Sequence, residues 1–472
     1  MAFLIGGANS AADDAYSVAN SCRFNSGDSP YLKDSAGNAA PAGNRQKFTF
    51  SIWFKRAKLG ATQILASASY SSGDEGYLYI SSGDAIEWDS TNSGDGDMFS
   101  NMKLRDTSAW YHLVWSVDTT QSTAGNRMKF YLNGTQMTSW STETQPNEDQ
   151  QLYWNVGGTY YPYIGRRHGG DYFDGYIGEV AHVDNAQLAA TSFGEFDEDS
   201  PTIWKPKDLS DLTFGTSGYW LDMEDSSDFG NDVSGVGNDF TASNLAATDQ
   251  AEDSPTNNFC TMLPITKSTD ATFTEGNLNV AYVTNATRRS AFGTMAVANG
   301  KWYWETTITA TSQTSVEINL GISSTYNPEL IGNALISTDG YSVSFFPSNG
   351  YLYIGNTQDE SGLGNAAVND IFGHALNMDD GTLQFYKNGS ALGSANDITT
   401  SGSNVGELYP SFTPAVSCSS GDQTFTSSYN FGSPAVSISS ANADGKGYGN
   451  FEYAPPSGFL AICTKNLGST GG

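Results

Sequence analysis

Alternation of apolar and polar residues with a period of two dominates the chain, and no stretch sustains the 3.6-residue period of a helix. Phe48, Phe50, Ile52 and Phe54 alternate with polar neighbours apart from Trp53, and Tyr111, Leu113, Trp115 and Val117 do likewise. Met128, Phe130 and Leu132 run into Asn133-Gly134, a dipeptide that supplies two positive-φ residues to a type I′ hairpin turn. The later part of the chain repeats the style. Trp302 and Trp304 share one strand face, and Phe372, His374, Leu376 and Met378 share another. Leu383 and Phe385 then run into Asn388-Gly389, so that Phe130-Tyr-Leu-Asn-Gly134 and Phe385-Tyr-Lys-Asn-Gly389 use the same turn chemistry. Short strands punctuated by Gly, Asn, Asp and Ser predict an all-β protein of two antiparallel β-sandwiches.

Charge divides the chain. It has 472 residues with 22 basic and 51 acidic side chains, so 22 − 51 gives a net −29. That deficit of cations removes the electrostatic footprint needed for phosphate backbones and excludes nucleic-acid binding. The apolar runs are too short to predict a membrane span, and the opening Met1-Ala-Phe-Leu-Ile-Gly-Gly lacks the charged start and apolar core of a signal peptide. Residues 201–252 hold 2 basic and 10 acidic side chains, and Asp253-Ser-Pro-Thr-Asn-Asn after them reads as a turn-rich junction. The layout expected is an N-terminal docking segment over 1–19, a sandwich over 20–200, an acidic connector over 201–255 and a second sandwich over 256–472. Cys22, Cys260, Cys418 and Cys463 are spaced too widely for a redox or zinc pattern and read as small buried hydrophobes.

Four ordered motifs in the first half carry a resemblance. Phe48-Thr-Phe-Ser-Ile-Trp-Phe-Lys-Arg, Ala109-Trp-Tyr-His-Leu-Val-Trp-Ser-Val-Asp, Met128-Lys-Phe-Tyr-Leu-Asn-Gly, and Tyr163-Ile-Gly-Arg with Phe173-Asp-Gly-Tyr-Ile-Gly-Glu-Val together resemble the laminin-G-like, concanavalin A-like jelly roll. Gly178 stands where that family usually has Asp. In the second half, Gly300-Lys-Trp-Tyr-Trp-Glu, Asp339-Gly-Tyr-Ser-Val, the run from Asp370 to Gly389, Leu408-Tyr-Pro and Tyr429-Asn-Phe-Gly resemble the SPRY domain. His374 is unusual for that family and reads as a buried neutral histidine. The pairing of the two, with the C-terminal Pro455-Pro-Ser-Gly-Phe run, resembles virion appendage proteins of tailed bacteriophages. The resemblance implies a virion location on a tail fibre, capsid fibre or decoration. It also implies assembly in the host cytoplasm, other virion proteins as partners, and a homo-oligomer for which a trimer is plausible.

The chemistry expected is recognition, with a purely architectural role as a capsid decoration or joining protein as the alternative and a polysaccharide-degrading enzyme as a further one. A sandwich hydrolase needs paired carboxylates; Glu195-Phe-Asp197 comes closest, but Ser200 occupies the third position. No enzymatic role is expected. The segment from Trp154 to Tyr172 is dense in Tyr, Gly, Arg, His and Asp, which suits stacking on sugar faces and bidentate bonding of hydroxyls. Its candidate contacts to a host-surface glycan are Trp154, Tyr160, Tyr161, Arg167, His168, Asp171 and Tyr172. Asp95 and Asp97, in Ser93-Gly-Asp-Gly-Asp97, offer oxygen ligands for Ca²⁺ without EF-hand spacing. The net charge predicts contact through aromatics and hydrogen bonds, with divalent cations as bridges, rather than attraction to an anionic cell surface.

Overall fold

The computed structural model describes residues 4–5, 16–34, 40–71, 73–264, 271–283, 289–312, 317–325, 336, 340–399, 411–418 and 424–469. The chain forms two compact units, Asp13–Thr256, and Asn257–Gly472 together with Met1–Ala12.

In Asp13–Thr256 two eight-stranded antiparallel sheets face each other. The first is ordered 135–136, 128–132, 110–118, 47–56, 175–184, 21–24, 250–251, with 219–221 also on 175–184. The second runs 140–144, 97–103, 85–90, 74–80, 63–71, 161–164, 31–34, 240–243. The alternation read from the sequence sets which side chains point inward. Phe48, Phe50, Ile52, Phe54, Leu113, Trp115 and Val117 from one sheet meet Leu32, Ala66, Leu78, Ile86, Trp88 and Ile164 from the other in one buried core. Asn133 and Gly134 take positive φ at the hairpin, as Asn388 and Gly389 do in the second unit.

The acidic segment 201–255 is not a connector. Tyr219–Leu221 and Gln250–Ala251 pair within the first sheet and Phe240–Ser243 within the second. Tyr219, Leu221, Met223, Phe229 and Phe240 lie in the common core. The physical reason is that its few aromatics are spaced to fill the sandwich while its carboxylates cap turns. Asp232, for example, accepts backbone N–H bonds from Trp220, Ser234, Gly237 and Asn238. The segment's end is clamped by a buried ion pair. Lys55 Nζ lies 2.7 Å from Asp253 Oδ2, and Trp110 Nε1 donates to Asp253 Oδ1.

The second unit packs an eight-stranded sheet, in which Lys301–Thr311 pairs with Ile371–Asn377 and Thr424–Asn430, on a six-stranded sheet containing Ile318–Ser324 and Phe412–Cys418. His374 is buried there, stacked on Trp304 at 4.8 Å, with Nε2 3.1 Å from Thr306 Oγ1, and burial lowers its pKa to about 3. All four cysteines are buried thiols outside any disulfide. Most of the expected docking segment 1–19 lies outside the described residues; within it, Leu4–Ile5 pairs in parallel with Met295–Ala296.

Candidate functional site

The outer faces of the two sheets in Asp13–Thr256 have different fates. On the first sheet, Val114, Ala181 and Val183 point away from the core and are buried under Ala190, Phe193, Leu209 and Phe214. Polar groups sealed there are locked. His112 Nδ1 accepts a hydrogen bond from Trp204 Nε1 at 2.9 Å, which fixes the Nε2–H tautomer facing Ser51 Oγ at 2.8 Å. Burial lowers its pKa to about 3. Glu179 accepts from Tyr16 OH and Trp220 Nε1, and burial raises its pKa to about 7.

Among the described residues the second sheet carries no such apolar cluster over its outer side and presents a tyrosine face, on which Ser67, Glu75 and Tyr163 are buried among polar and aromatic neighbours. A single row across six strands reads Asp89, Tyr77, Ser67, Tyr163, Lys33 and Thr241. Tyr79, Glu87, Glu75, Tyr161 and Tyr31 flank it on the same side, because a period of two puts every second residue outward. Tyr77 OH donates to Asp89 at 2.8 Å and Tyr79 OH to Glu87 at 2.6 Å. Burial, and then these bonds, raise both phenol pKa values.

Cations are held over the rings. Arg166 lies 4.4 Å from the Tyr31 ring, 4.9 Å from Tyr163 and 5.9 Å from Tyr172, and Lys33 lies 3.7 Å from Tyr161. Arg167 sits 4.9 Å over Tyr77 and bridges Glu75 at 3.0 Å and Asp171 at 2.7 Å. At one end of the sheet, exposed Tyr70 meets Tyr160 at 5.5 Å, and Tyr160 meets Tyr153 at 5.9 Å, with Arg45 over Tyr153. Cation–π contacts of this kind stiffen long side chains in the orientation a ligand would meet.

The structure sorts the residues expected from sequence. Tyr160, Tyr161, Arg167, Asp171 and Tyr172 lie on or beside this face, and His168 is exposed in the same loop. Trp154 does not. It is 2% exposed and packs edge-on against Trp115 and Phe50 in the core, so it is unable to meet a sugar. Asp95 is fully buried, and its carboxylate accepts from Ser90, Asn92, Gln150 and the Tyr153 N–H. It organises the loop that places Tyr153, and its acceptor capacity is spent. Asp97 opens the strand Asp97–Lys103, and among the described residues no three His, Cys, Asp or Glu side chains converge to hold a metal.

Sequence reading missed Tyr31, Lys33, Tyr77, Tyr79 and Arg166. Their signal was available in Tyr31-Leu-Lys33 and Tyr77-Leu-Tyr79, where a core leucine alternates with amphipathic neighbours. It also missed Glu87-Trp-Asp89, two carboxylates on one strand face, while singling out Glu195-Phe-Asp197. Asp197 instead accepts the backbone N–H groups of Asp199 and Ser200 in a turn.

The family model described as the concanavalin A-like lectin/glucanases superfamily matches residues 27–190, and the model of the SPRY domain matches residues 301–427. The chain carries a concanavalin A-like domain followed by a SPRY domain. No curated protein matches it. Among solved structures, the SPRY domain of human HERC1 is 15% identical, with a TM-score of 0.30, covering 36% of this chain and 96% of that one. A heptameric SAP-like pentraxin from Limulus polyphemus is 15% identical, with a TM-score of 0.27, covering 37% of this chain and 80% of that one. A putative carbohydrate binding protein from Bacteroides ovatus is 17% identical, with a TM-score of 0.30, covering 49% of this chain and 61% of that one. The open tyrosine face therefore belongs to the concanavalin A-like domain, whose family model spans its central strands.

Proposed function

We propose that this chain is a non-enzymatic virion surface protein of a tailed bacteriophage, on a tail fibre, a capsid fibre or as a decoration. It presents the open face of its concanavalin A-like domain to a host-surface glycan. The observation that carries the binding role is that face itself: tyrosine rings with cations fixed over them, in a domain whose other outer face is sealed by its own chain. Aromatic faces stack on sugar C–H patches while Arg and carboxylates take hydroxyls. Display of many copies raises a weak single-site affinity by about 10²–10⁴-fold. The virion setting rests on the resemblance of the domain pairing, with other virion proteins and further copies of the chain as partners and a trimer as the expected assembly. The test joins two measurements: detection of the chain in purified particles, and binding of the isolated protein to host cells before and after replacing Tyr160 and Tyr161 with Ala. Absence from particles defeats the setting; unchanged binding defeats the site.

Glycan cleavage is a second reading, favoured by one observation. Glu87 and Asp89 stand two residues apart on the open face, hydrogen-bonded to Tyr79 and Tyr77. Incubating host polysaccharide with the protein and sizing the product decides between the readings, since shortening of the polymer that Glu87→Gln abolishes requires an enzyme.

A further inference from the structure

The chain neutralises its most deeply buried cations with its own carboxylates: Arg23 lies near Asp249, Lys55 is paired with Asp253, and Arg56 with Asp84. With 51 acidic side chains against 22 basic, a partner for every cation is abundant. On the open face Arg167 keeps this habit, bridging Glu75 and Asp171, and Arg166 departs from it. Arg166 donates from Nε to the Arg167 carbonyl at 3.0 Å and stacks on tyrosines, and among the described residues its terminal nitrogens meet no carboxylate. Lys33 over Tyr161 likewise meets no carboxylate in an ion pair among the described residues. Lys33 stands directly opposite Tyr163, whose ring also carries Arg166, so two unneutralised positive charges share one patch. A guanidinium held against aromatic faces is pre-oriented, weakly hydrated, and offers a planar fork that matches a carboxylate.

We propose that the ligand of this face is an acidic polysaccharide, and that Arg166, supported by Lys33, selects the carboxylate of its uronic acid residues. The inference rests on the glycan-binding reading and narrows it to one class of sugar. It also narrows the expectation drawn from the net charge: on a molecule that as a whole repels an anionic surface, Arg166 and Lys33 offer single carboxylates a local partner.

The experiment is calorimetric titration of the full chain with alginate oligosaccharides and with the same oligosaccharides after reduction of their carboxyl groups to alcohols. The acidic form is expected to bind about tenfold or more tightly than the reduced form, as one charge-assisted bidentate contact contributes, and the preference is expected to fall as salt is raised. Arg166→Gln combined with Lys33→Gln should erase the preference and leave the weaker binding of the reduced sugar in place. Arg166→Lys should restore part of it, with an unchanged melting temperature showing that each variant is folded. Equal affinity for the two sugars, or a preference that survives the double substitution, overturns the carboxylate assignment and leaves the glycan reading standing. Binding to neither sugar overturns the assignment, and failure of the host-cell test with Tyr160 and Tyr161 separately overturns the reading beneath it.

Discussion

The two sheets of the concanavalin A-like domain share one core and present opposite exteriors. One exterior is buried beneath chain that follows the sandwich, and its polar groups are locked with displaced proton affinities. The other, among the described residues, lacks that apolar cover, and its polar groups are aimed by stacking. The difference teaches that burial and presentation are separable on one scaffold, with stability carried by one face and the other left to the recognition proposed for it.

The strongest way to break this comparison is to attack both faces equally. Phe214 is 3% exposed under the covered face, and Phe214→Ala is expected to cost about 3–5 kcal/mol. Tyr161→Ala on the open face is expected to cost no more than about 1 kcal/mol. Thermal denaturation checks both, and equal losses would end the distinction.

The next effect is a pH dependence confined to the covered face. Folded Glu179 has a pKa raised from 4.5 to about 7, so its contribution is full below about pH 4.5 and is lost as pH rises through 7. Folded His112 has a pKa lowered from 6.5 to about 3, so its contribution is full above about pH 6.5 and is lost as pH falls towards 3. Glu179→Gln should therefore spare the protein up to about 3 kcal/mol of the stability that the parent loses between pH 5 and 8. Protonating His112 removes the acceptor for Trp204, so acid should release Trp204 first. Denaturant titrations across pH, with tryptophan fluorescence, measure both slopes.

A smaller effect joins the two faces. Asp95→Ala strips the acceptor from Gln150, Ser90 and the Tyr153 N–H, at a cost of about 1–3 kcal/mol, and should weaken glycan binding by loosening Tyr153. Added calcium should change neither the parent's melting temperature nor the variant's. The smallest effect is Tyr160→Ala, expected to lower glycan affinity about fivefold while leaving stability unchanged, as deletion of one exposed stacking ring should. Titration with the same oligosaccharides reads it.

Much of the fold was legible because period-two patterns name their inward residues directly. Phe48 to Phe54, Tyr111 to Val117 and both Asn-Gly turns took the positions that alternation assigns. The segment 201–255 misled because its acidity and its Gly and Ser content disguised a few well-spaced aromatics, Tyr219 and Phe240 among them. Trp154 misled for the converse reason: a loop rich in surface residues still sends its largest apolar side chain inward. Half of the candidate face was visible as a local cluster from Tyr160 to Tyr172. The rest, Tyr31, Lys33 and Tyr77, lies on strands far away in sequence, and only sheet register places them beside Arg166.

The late strand Gln250–Ala251 closes against Cys22, and Ser21 Oγ donates to the Asp253 carbonyl 232 residues further along. That closure makes the first domain a problem of timing. Contacts between such distant segments form slowly: the strand Ser21–Phe24 keeps an unpaired edge until residues past 250 have emerged, and Val114, Ala181 and Val183 lack Leu209 and Phe214 until residues past 214 have emerged. A nascent chain stalled near residue 200 is thus a sticky intermediate, and a host that folds the whole chain well should aggregate that fragment.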